Sequence, residues 1–440
     1  MQLSRFFHVL PVQENVSAVF NGLLLEPMFV SDHELANICS FDVAPDEISE
    51  LKARGIYVLD RKVDGDALEL LQKRYITKCR RVETLYLCVT DFCNLSCSYC
   101  YVRNSSDKDI SRATMTIPTA AAAISKWRDH LLKHNIQKPS IVFYGGEPML
   151  NWDVIKYVVD AVRAINLAIQ IQLVTNGTLF SSDQIDYILS NDIDLGISID
   201  GPAKYSDSCR VFAASSRSVG DVVEENIKTL VRKGCNLGLS IAVTNSVLEH
   251  RDEILVWIKN SGVKGIYFNI LQSTNEVRYD EQYYHNANRF LQYAYEYLHP
   301  AVQDGNLKRK IDSFSNSLFK ISNCSAIGIN QLAITASGKI CICQGCTGIE
   351  SAYLGDVYSD SFDDVVSRDL ADWINIAPIM KSSCHACPAI AICGGGCLME
   401  SVAVTGSASE VDWPHCIHSK SSLEWLIKQS YYFGGTIWKS

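Results

Sequence analysis

Three thiols stand within eight residues of this chain, Cys93, Cys97 and Cys100, in the run DFCNLSCSYCY from Asp91 to Tyr101. Such short spacings let one loop wrap three thiolates around a single metal centre. A cubane held wholly by protein takes four, so three leave one iron open. Structural zinc wants a fourth protein ligand, and no further cysteine or histidine lies close by on this loop; a distant side chain is the alternative to an open position. A second set lies downstream: Cys324, Gly338-x4-Cys343, Cys384-x2-Cys387-x5-Cys393-x3-Cys397 and Cys416, with Cys341 and Cys346 beside them. That segment is rich in glycine, has little periodicity and lacks a core of its own. It needs internal metal staples, either iron–sulfur clusters or a pair of zinc ribbons, because Cys-x2-Cys serves both.

The elements that position these residues follow from hydrophobic spacing. From about Thr84 to Leu271, apolar runs of strand length alternate with amphipathic helix-length segments, the order of parallel β/α units. Six strands are expected, at 85–90, 140–144, 169–174, 193–199, 237–243 and 264–270, with helices between them such as 117–134 and 222–233. The fold class is α/β, a partial (β/α)6 TIM-like barrel whose ligands belong at the C-terminal strand ends. The cysteine loop follows the first strand. Gly145-Gly146-Glu147-Pro148 follows the second, Thr175-Asn176-Gly177-Thr178 the third and Asp200-Gly201-Pro202 the fourth, with Ser198 just inside it. Each of these alone reads as a turn; all fall at one rim.

Flanking regions are read as modules at 1–80, 81–275, 276–323, 324–418 and 419–440. In the first, apolar runs at 5–11, 17–25 and 27–31 precede helical patterns at 32–40, 45–55 and 66–77. This order, three strands then three helices, is similar to the winged-helix-like peptide-recognition module of enzymes that modify ribosomally made peptides, where a leader peptide adds a strand to a sheet edge. A packing cap for the next domain is the alternative. Residues 276–323 read as a helical linker and 419–440 as a tail with a short helix. With 440 residues, 47% of them hydrophobic, the chain can bury a large core. A net charge of −9 without a basic stripe argues against nucleic acid or an anionic membrane as partner. The absence of a secretory h-region or an apolar run long enough to span a bilayer implies a cytoplasmic protein, in which many cysteines favour metal chemistry over disulfides.

The CxxxCxxC loop after the first strand of a partial barrel resembles that of the radical S-adenosylmethionine (SAM) enzymes. The resemblance covers roughly residues 84–271. It implies a 4Fe-4S cluster whose open iron binds the amino and carboxylate groups of SAM, and a 5'-deoxyadenosyl radical that abstracts hydrogen from the substrate. By position, Tyr99 is then the residue against adenine, and Gly145, Gly146 and Glu147 the segment for the methionine ammonium. Ser198 and Asp200 lie near the ribose, and Arg210 is a candidate for the methionine carboxylate.

The downstream set resembles the seven-cysteine SPASM extension of peptide- and protein-modifying members. That implies two auxiliary 4Fe-4S clusters, three clusters in all. One is held by Cys384, Cys387, Cys393 and Cys416, and another by Cys324, Cys343 and Cys397. Some relatives supply a fourth ligand to the latter six residues after the first cysteine, where this chain has Asn330; Cys346 is favoured as the substitute over Cys341, with an open iron the remaining alternative. Cys39, Cys79, Cys88, Cys209 and Cys235 read as small core residues or ordinary thiols. Sulfatase-maturing relatives carry an aspartate after the residue matching Cys343; Gln344 stands here, and an amide cannot act as a carboxylate base. The resemblance therefore implies a peptide maturase that installs an oxidative carbon–carbon or thioether crosslink in a ribosomally made precursor peptide, with a flavodoxin or ferredoxin as reductant. A radical SAM enzyme acting on a protein side chain or small molecule, and a non-catalytic iron–sulfur or zinc protein, are the alternatives.

Overall fold

The computed structural model describes residues 1–78, 81–107, 109–165, 167–299, 303–368 and 372–434, and the chain divides into two units. One gathers residues 1–79, 307–328 and 374–440, the other 80–306 and 329–373. Cys79, read above as an ordinary thiol, lies outside the described residues.

In the first unit, strands β1 (Gln2–Leu3), β2 (Phe7–Gln13), β3 (Val16–Asn21), β4 (Met28–Ser31) and β5 (Tyr57–Val58) form two small antiparallel sheets, β2-β3-β4 and β1-β5. The three expected apolar runs become β2, β3 and β4. Helices Asp32–Ser40, Pro45–Ala53 and Arg61–Lys78 follow. Ser31 ends the sheet and starts the first helix: its hydroxyl accepts the Glu34 N–H, while the Glu34 carboxylate accepts the Ser31 N–H at 2.7 Å, satisfying two groups that a helix end leaves unpaired. Val19, Val30, Ile38, Leu51, Ile56 and Tyr57 close a small core, each buried side chain contributing about 1.5–3 kcal/mol. The unit also holds most of the cysteine-rich segment. Its last helix runs unbroken from Trp413 to Phe433, so the tail expected from residue 419 continues the helix that carries Cys416.

The second unit is built on one sheet. Strands β6 (Thr84–Thr90), β7 (Ser140–Gly145), β8 (Gln170–Thr175), β9 (Ile193–Ser198), β10 (Leu237–Ala242) and β11 (Gly265–Asn269) lie parallel in chain order. All twelve ends fall within one residue of those expected. The sheet then continues: β12 (Gln303–Asp304) pairs with β11, and β13 (Gln331–Ile334) joins the other edge parallel to β6, followed by antiparallel β14 (Lys339–Cys341) and β15 (Gly355–Asp356). Two boundaries thus differ from the sequence reading. Residues 329–373, expected within the cysteine-rich module, extend the barrel sheet. The expected linker also divides, its helix Glu281–Leu298 staying with the barrel and the chain from Leu307 belonging to the first unit.

Side chains alternate along each strand. Ile171 and Leu173, Leu195 and Ile197, and Leu239 and Ile241 are buried, whereas Gln172, Ser198 and Ser240 on the opposite face stay half-buried. Helix Ile117–Lys133 is tied to helix Phe362–Arg368 through Asp363, which contacts His130 Nδ1 at 3.1 Å, His134 Nε2 at 2.6 Å and Lys133 Nζ at 2.8 Å. Two histidines and a carboxylate resemble a metal triad. However, His130 Nε2 accepts the Val82 N–H at 3.1 Å, which leaves the proton of a neutral ring on Nδ1. His130 therefore donates to Asp363, and the trio is a hydrogen-bonded clasp.

Candidate active site and cysteine-rich centre

Cys93, Cys97 and Cys100 occupy the turn between β6 and the short helix Tyr101–Ser105. Three backbone bonds lash this turn to the segment after β9: Ser96 N–H to Val211 O (2.8 Å), Ser98 N–H to Cys209 O (3.0 Å) and Ala213 N–H to Asn94 O (2.9 Å). The same pairing carries Arg210 to the thiols, with Nη1 3.9 Å from Cys97 Sγ and Nε 3.2 Å from Asp200 Oδ2. Tyr99 donates its hydroxyl to the same Asp200 oxygen, and Asp200 Oδ1 accepts the Ala242 N–H at 3.0 Å. Asp200 and Arg210 are 1% and 8% exposed, a buried, hydrogen-bonded pair whose charges depend on each other. Burial opposes the Arg210 charge, but Tyr99, Asp200 and Cys97 more than offset it, so the guanidinium stays protonated. Burial also pushes the Cys97 thiol up to about 11, against the pull of Arg210.

Across the rim, Gly145 and Gly146 have a steric reason to be glycine. A Cβ at Gly145, whose φ is +137°, would lie 2.3 Å from Thr90 O, and one at Gly146 would lie 2.2 Å from Phe92 O. The chain thus passes directly over the start of the cysteine loop, which holds it through Gly146 N–H to Thr90 O and Glu147 N–H to Phe92 O, both 2.8 Å. Glu147, 1% exposed, spends its carboxylate on Thr175 Oγ1 (2.6 Å), Asn176 N–H (2.7 Å) and Met149 N–H (3.1 Å). Burial raises its pKa and these three donors oppose the rise.

Asn94 and Asn176 were missed as site residues. Asn176 Nδ2 reaches Asn94 Oδ1 at 2.8 Å and Cys93 Sγ at 3.9 Å, and Asn94 Nδ2 donates to Thr178 Oγ1 at 2.8 Å. The signal was present in the Thr-Asn-Gly-Thr motif at the end of β8, which the sequence placed at the rim without a role. Ser198 ends β9 opposite Ser240 and makes no hydrogen bond to the other site residues among the described ones.

The downstream cysteines fall in both units. In the first, Cys384, Cys387, Cys393 and Cys416 come together: burial, then the charges of Cys393, Cys387 and Cys384, push Cys416 up to about 12. Gly395 N–H points at Cys393 Sγ at 3.4 Å, and Asp412 accepts the N–H of Cys397 at 2.7 Å and of His415 at 3.1 Å. Cys324 and Cys397 belong to this unit, Cys343 and Cys346 to the second. Within the second, the Cys343 thiol hydrogen-bonds with Cys346, which together with burial holds its pKa well above the usual thiol range. Asn330 spends its amide on Arg81 O at 3.2 Å. Cys88, read as an ordinary thiol, lies close enough to Cys341 and Cys343 for their charges to interact. Tyr144, at the end of β7, feels both Cys100 and Cys343.

A parallel sheet of β/α units with a three-thiol loop after its first strand defines a radical SAM domain, and residues 87–258 match the model of the Radical SAM superfamily. The chain carries a domain of that superfamily, which implies a 4Fe-4S cluster and SAM, and its curated relatives include enzymes. The donor set fits: three thiols on one loop, N–H groups of Leu95 (3.4 Å) and Asn176 turned to Cys93 Sγ, and a nearby carboxylate, Glu147, already satisfied by protein donors.

Among curated proteins the chain is 35% identical to an uncharacterized protein of Methanocaldococcus jannaschii over 190 residues, 43% of this chain and 62% of that one. It is 23% identical to the radical SAM cyclopropyl synthase TigE of Paramaledivibacter caminithermalis over 409 residues, 87% of this chain and 83% of that one. The fold is shared with native anSMEcpe with bound AdoMet (TM-score 0.68, 18% identity, 80% of this chain and 99% of that one). It is also shared with Streptococcus suis SuiB bound to precursor peptide SuiA (TM-score 0.56, 14% identity, 94% and 99%). Among the described residues no helix is long and apolar enough to cross a membrane.

Proposed function

We propose that this chain matures a ribosomally made precursor peptide, installing an oxidative carbon–carbon or thioether crosslink. One observation carries the reading. SuiB, solved with its precursor peptide, aligns over 94% of this chain, leaving about 26 of the 440 residues unmatched. Most of the 80-residue N-terminal module therefore lies inside the match. Among the described residues no further strand pairs with β2 or β4, the outer strands of its sheet β2-β3-β4, and strand addition at such an edge is how a leader peptide docks.

In this reading Cys93, Cys97 and Cys100 would hold the 4Fe-4S cluster, which together with SAM would supply hydrogen-abstracting radical chemistry at the peptide. Arg210, fixed by Asp200 and turned toward Cys97, receives the methionine carboxylate. The segment Gly145–Glu147, whose Gly146 and Glu147 N–H groups are used on Thr90 and Phe92, would lie against the methionine ammonium. Tyr99, its hydroxyl anchored on Asp200, presents its ring to the adenine, and Ser198 faces the ribose. Loss of two hydrogens needs an electron outlet, and the two auxiliary 4Fe-4S clusters that the likeness of the downstream cysteines to the SPASM extension implies would be that outlet. A flavodoxin or ferredoxin is the expected reductant.

Oxidation of a protein side chain is the second reading, favoured by the 21% identity over 364 residues to the cysteine-type anaerobic sulfatase-maturating enzyme of Clostridium perfringens. Against it, Gln344 offers a neutral amide, which accepts from Gln331 Nε2 at 3.3 Å. Co-expression with a short reading frame from the same operon decides between them. A mass loss of two hydrogens per modification in the peptide supports crosslinking, and an unchanged peptide overturns it for that partner. Deleting residues 1–80 should weaken peptide binding and leave SAM cleavage intact; unchanged affinity removes the leader-binding role.

A further inference from the structure

The cysteine-rich centre of the first unit contains a buried cation, Lys310, that has no carboxylate partner among the described residues. Lys310 is 1% exposed. Its ammonium donates to Ser419 Oγ at 3.0 Å and approaches Ile392 O at 3.5 Å. An unpaired buried charge is costly, so a sequence that keeps one there has an anion to meet it. The two acceptors show where that anion lies. Ile392 adjoins Cys393 and Ser419 sits three residues after Cys416 on the same helix; burial pulls the Lys310 pKa down to about 8, and the charges of Cys393 and Cys416 oppose that fall.

We propose that Lys310 is the built-in counter-charge of an iron–sulfur cluster on Cys384, Cys387, Cys393 and Cys416, and that it raises the reduction potential of that cluster. The proposal rests on the reading that these four thiols bind a cluster. Four thiolates around an oxidised cubane leave a net anion, and each electron accepted adds a negative charge. A fixed ammonium in a medium of low dielectric stabilises the reduced form more than the oxidised one. Other lysines near these thiols are poorer candidates. Lys381 is half-buried and donates to Glu410 O at 2.8 Å, and Lys420 is exposed, where water and salt screen it.

The test is an EPR-monitored redox titration of the full-length, anaerobically reconstituted enzyme, with dithionite as reductant, comparing Lys310→Met, Lys310→Arg and Lys420→Met. The proposal expects a shift to more negative midpoint potential in Lys310→Met, recovery in Lys310→Arg, and a smaller shift in Lys420→Met. A Lys310→Met cluster with full iron content and parent potential overturns it. If Lys310→Met loses iron while Lys310→Arg keeps it, the counter-charge role stands; if both lose iron alike, the side chain serves packing and the proposal falls. The underlying reading fails separately, when Cys384→Ala leaves iron content and every EPR signal of the parent unchanged.

Discussion

The two thiol centres are held in opposite ways. The loop at Cys93–Cys100 hangs from a strand buried in a parallel sheet, and its position is set by bonds that need no metal: three backbone bonds to residues 209–213, the Gly146 and Glu147 crossing, and the Asn94–Asn176–Thr178 network. In the set at 384–416, Cys384 lies in the short helix Ser382–His385, Cys393 ends the short helix Ile390–Cys393, and Cys416 lies in the first turn of the long helix Trp413–Phe433. There the thiols lie near one another and near a buried lysine, on short helices and turns tied by local bonds such as Cys387 N–H to Cys384 O and Cys416 N–H to Asp412 O. The parallel sheet itself positions the site in the first case; in the second, under the proposed reading, a bound cluster would be part of the fold.

The sharpest break of this contrast is Cys97→Ala. It should abolish reductive SAM cleavage, a loss well beyond the roughly 10–100-fold typical of an outer-shell change, while leaving thermal unfolding close to parent. Production of 5'-deoxyadenosine at the parent rate would end the assignment. Iron chelation should act in reverse on stability. Structural metal binding is folding energy on the order of 10 kcal/mol, so hydrogen exchange should rise across residues 384–416 and stay low in β6–β11; equal loss in both regions would remove the distinction. Asn176→Ala is the intermediate case, with about a 10–100-fold drop in SAM cleavage and unchanged iron content.

The smallest effect concerns pH. Burial pulls His130 down to about 4 from its ordinary 6.5, although Asp363 opposes this. The unfolded chain therefore binds a proton between those values that the folded chain refuses, and stability declines as pH falls from 6.5 toward 4. His130→Gln should flatten that part of the pH-stability curve of the barrel unit. An unaltered slope would mean that the clasp does not titrate as the geometry implies.

Much of the barrel was legible because buried parallel strands and amphipathic helices impose different periods on one chain, and a short loop leaves its cysteines few places to go. The glycines of the second rim motif were also legible as necessary, but the reason was not: they clear the Thr90 and Phe92 carbonyls, which are neighbours only across a strand pair. Arg210 was named from the resemblance as a candidate for the methionine carboxylate, and what the sequence left open was its position: three backbone bonds bring it beside Cys97.

Local pattern alone determined the strand positions, the rim they share and the three-thiol loop, since these depend on spacing within a few tens of residues. Tertiary structure decided that residues 329–373 join the barrel sheet, that Asn94 meets Asn176, that His130 clasps Asp363, and that Lys310 is buried beside Cys393 and Cys416. Each of these depends on contacts between residues far apart in the chain, for which no local period exists.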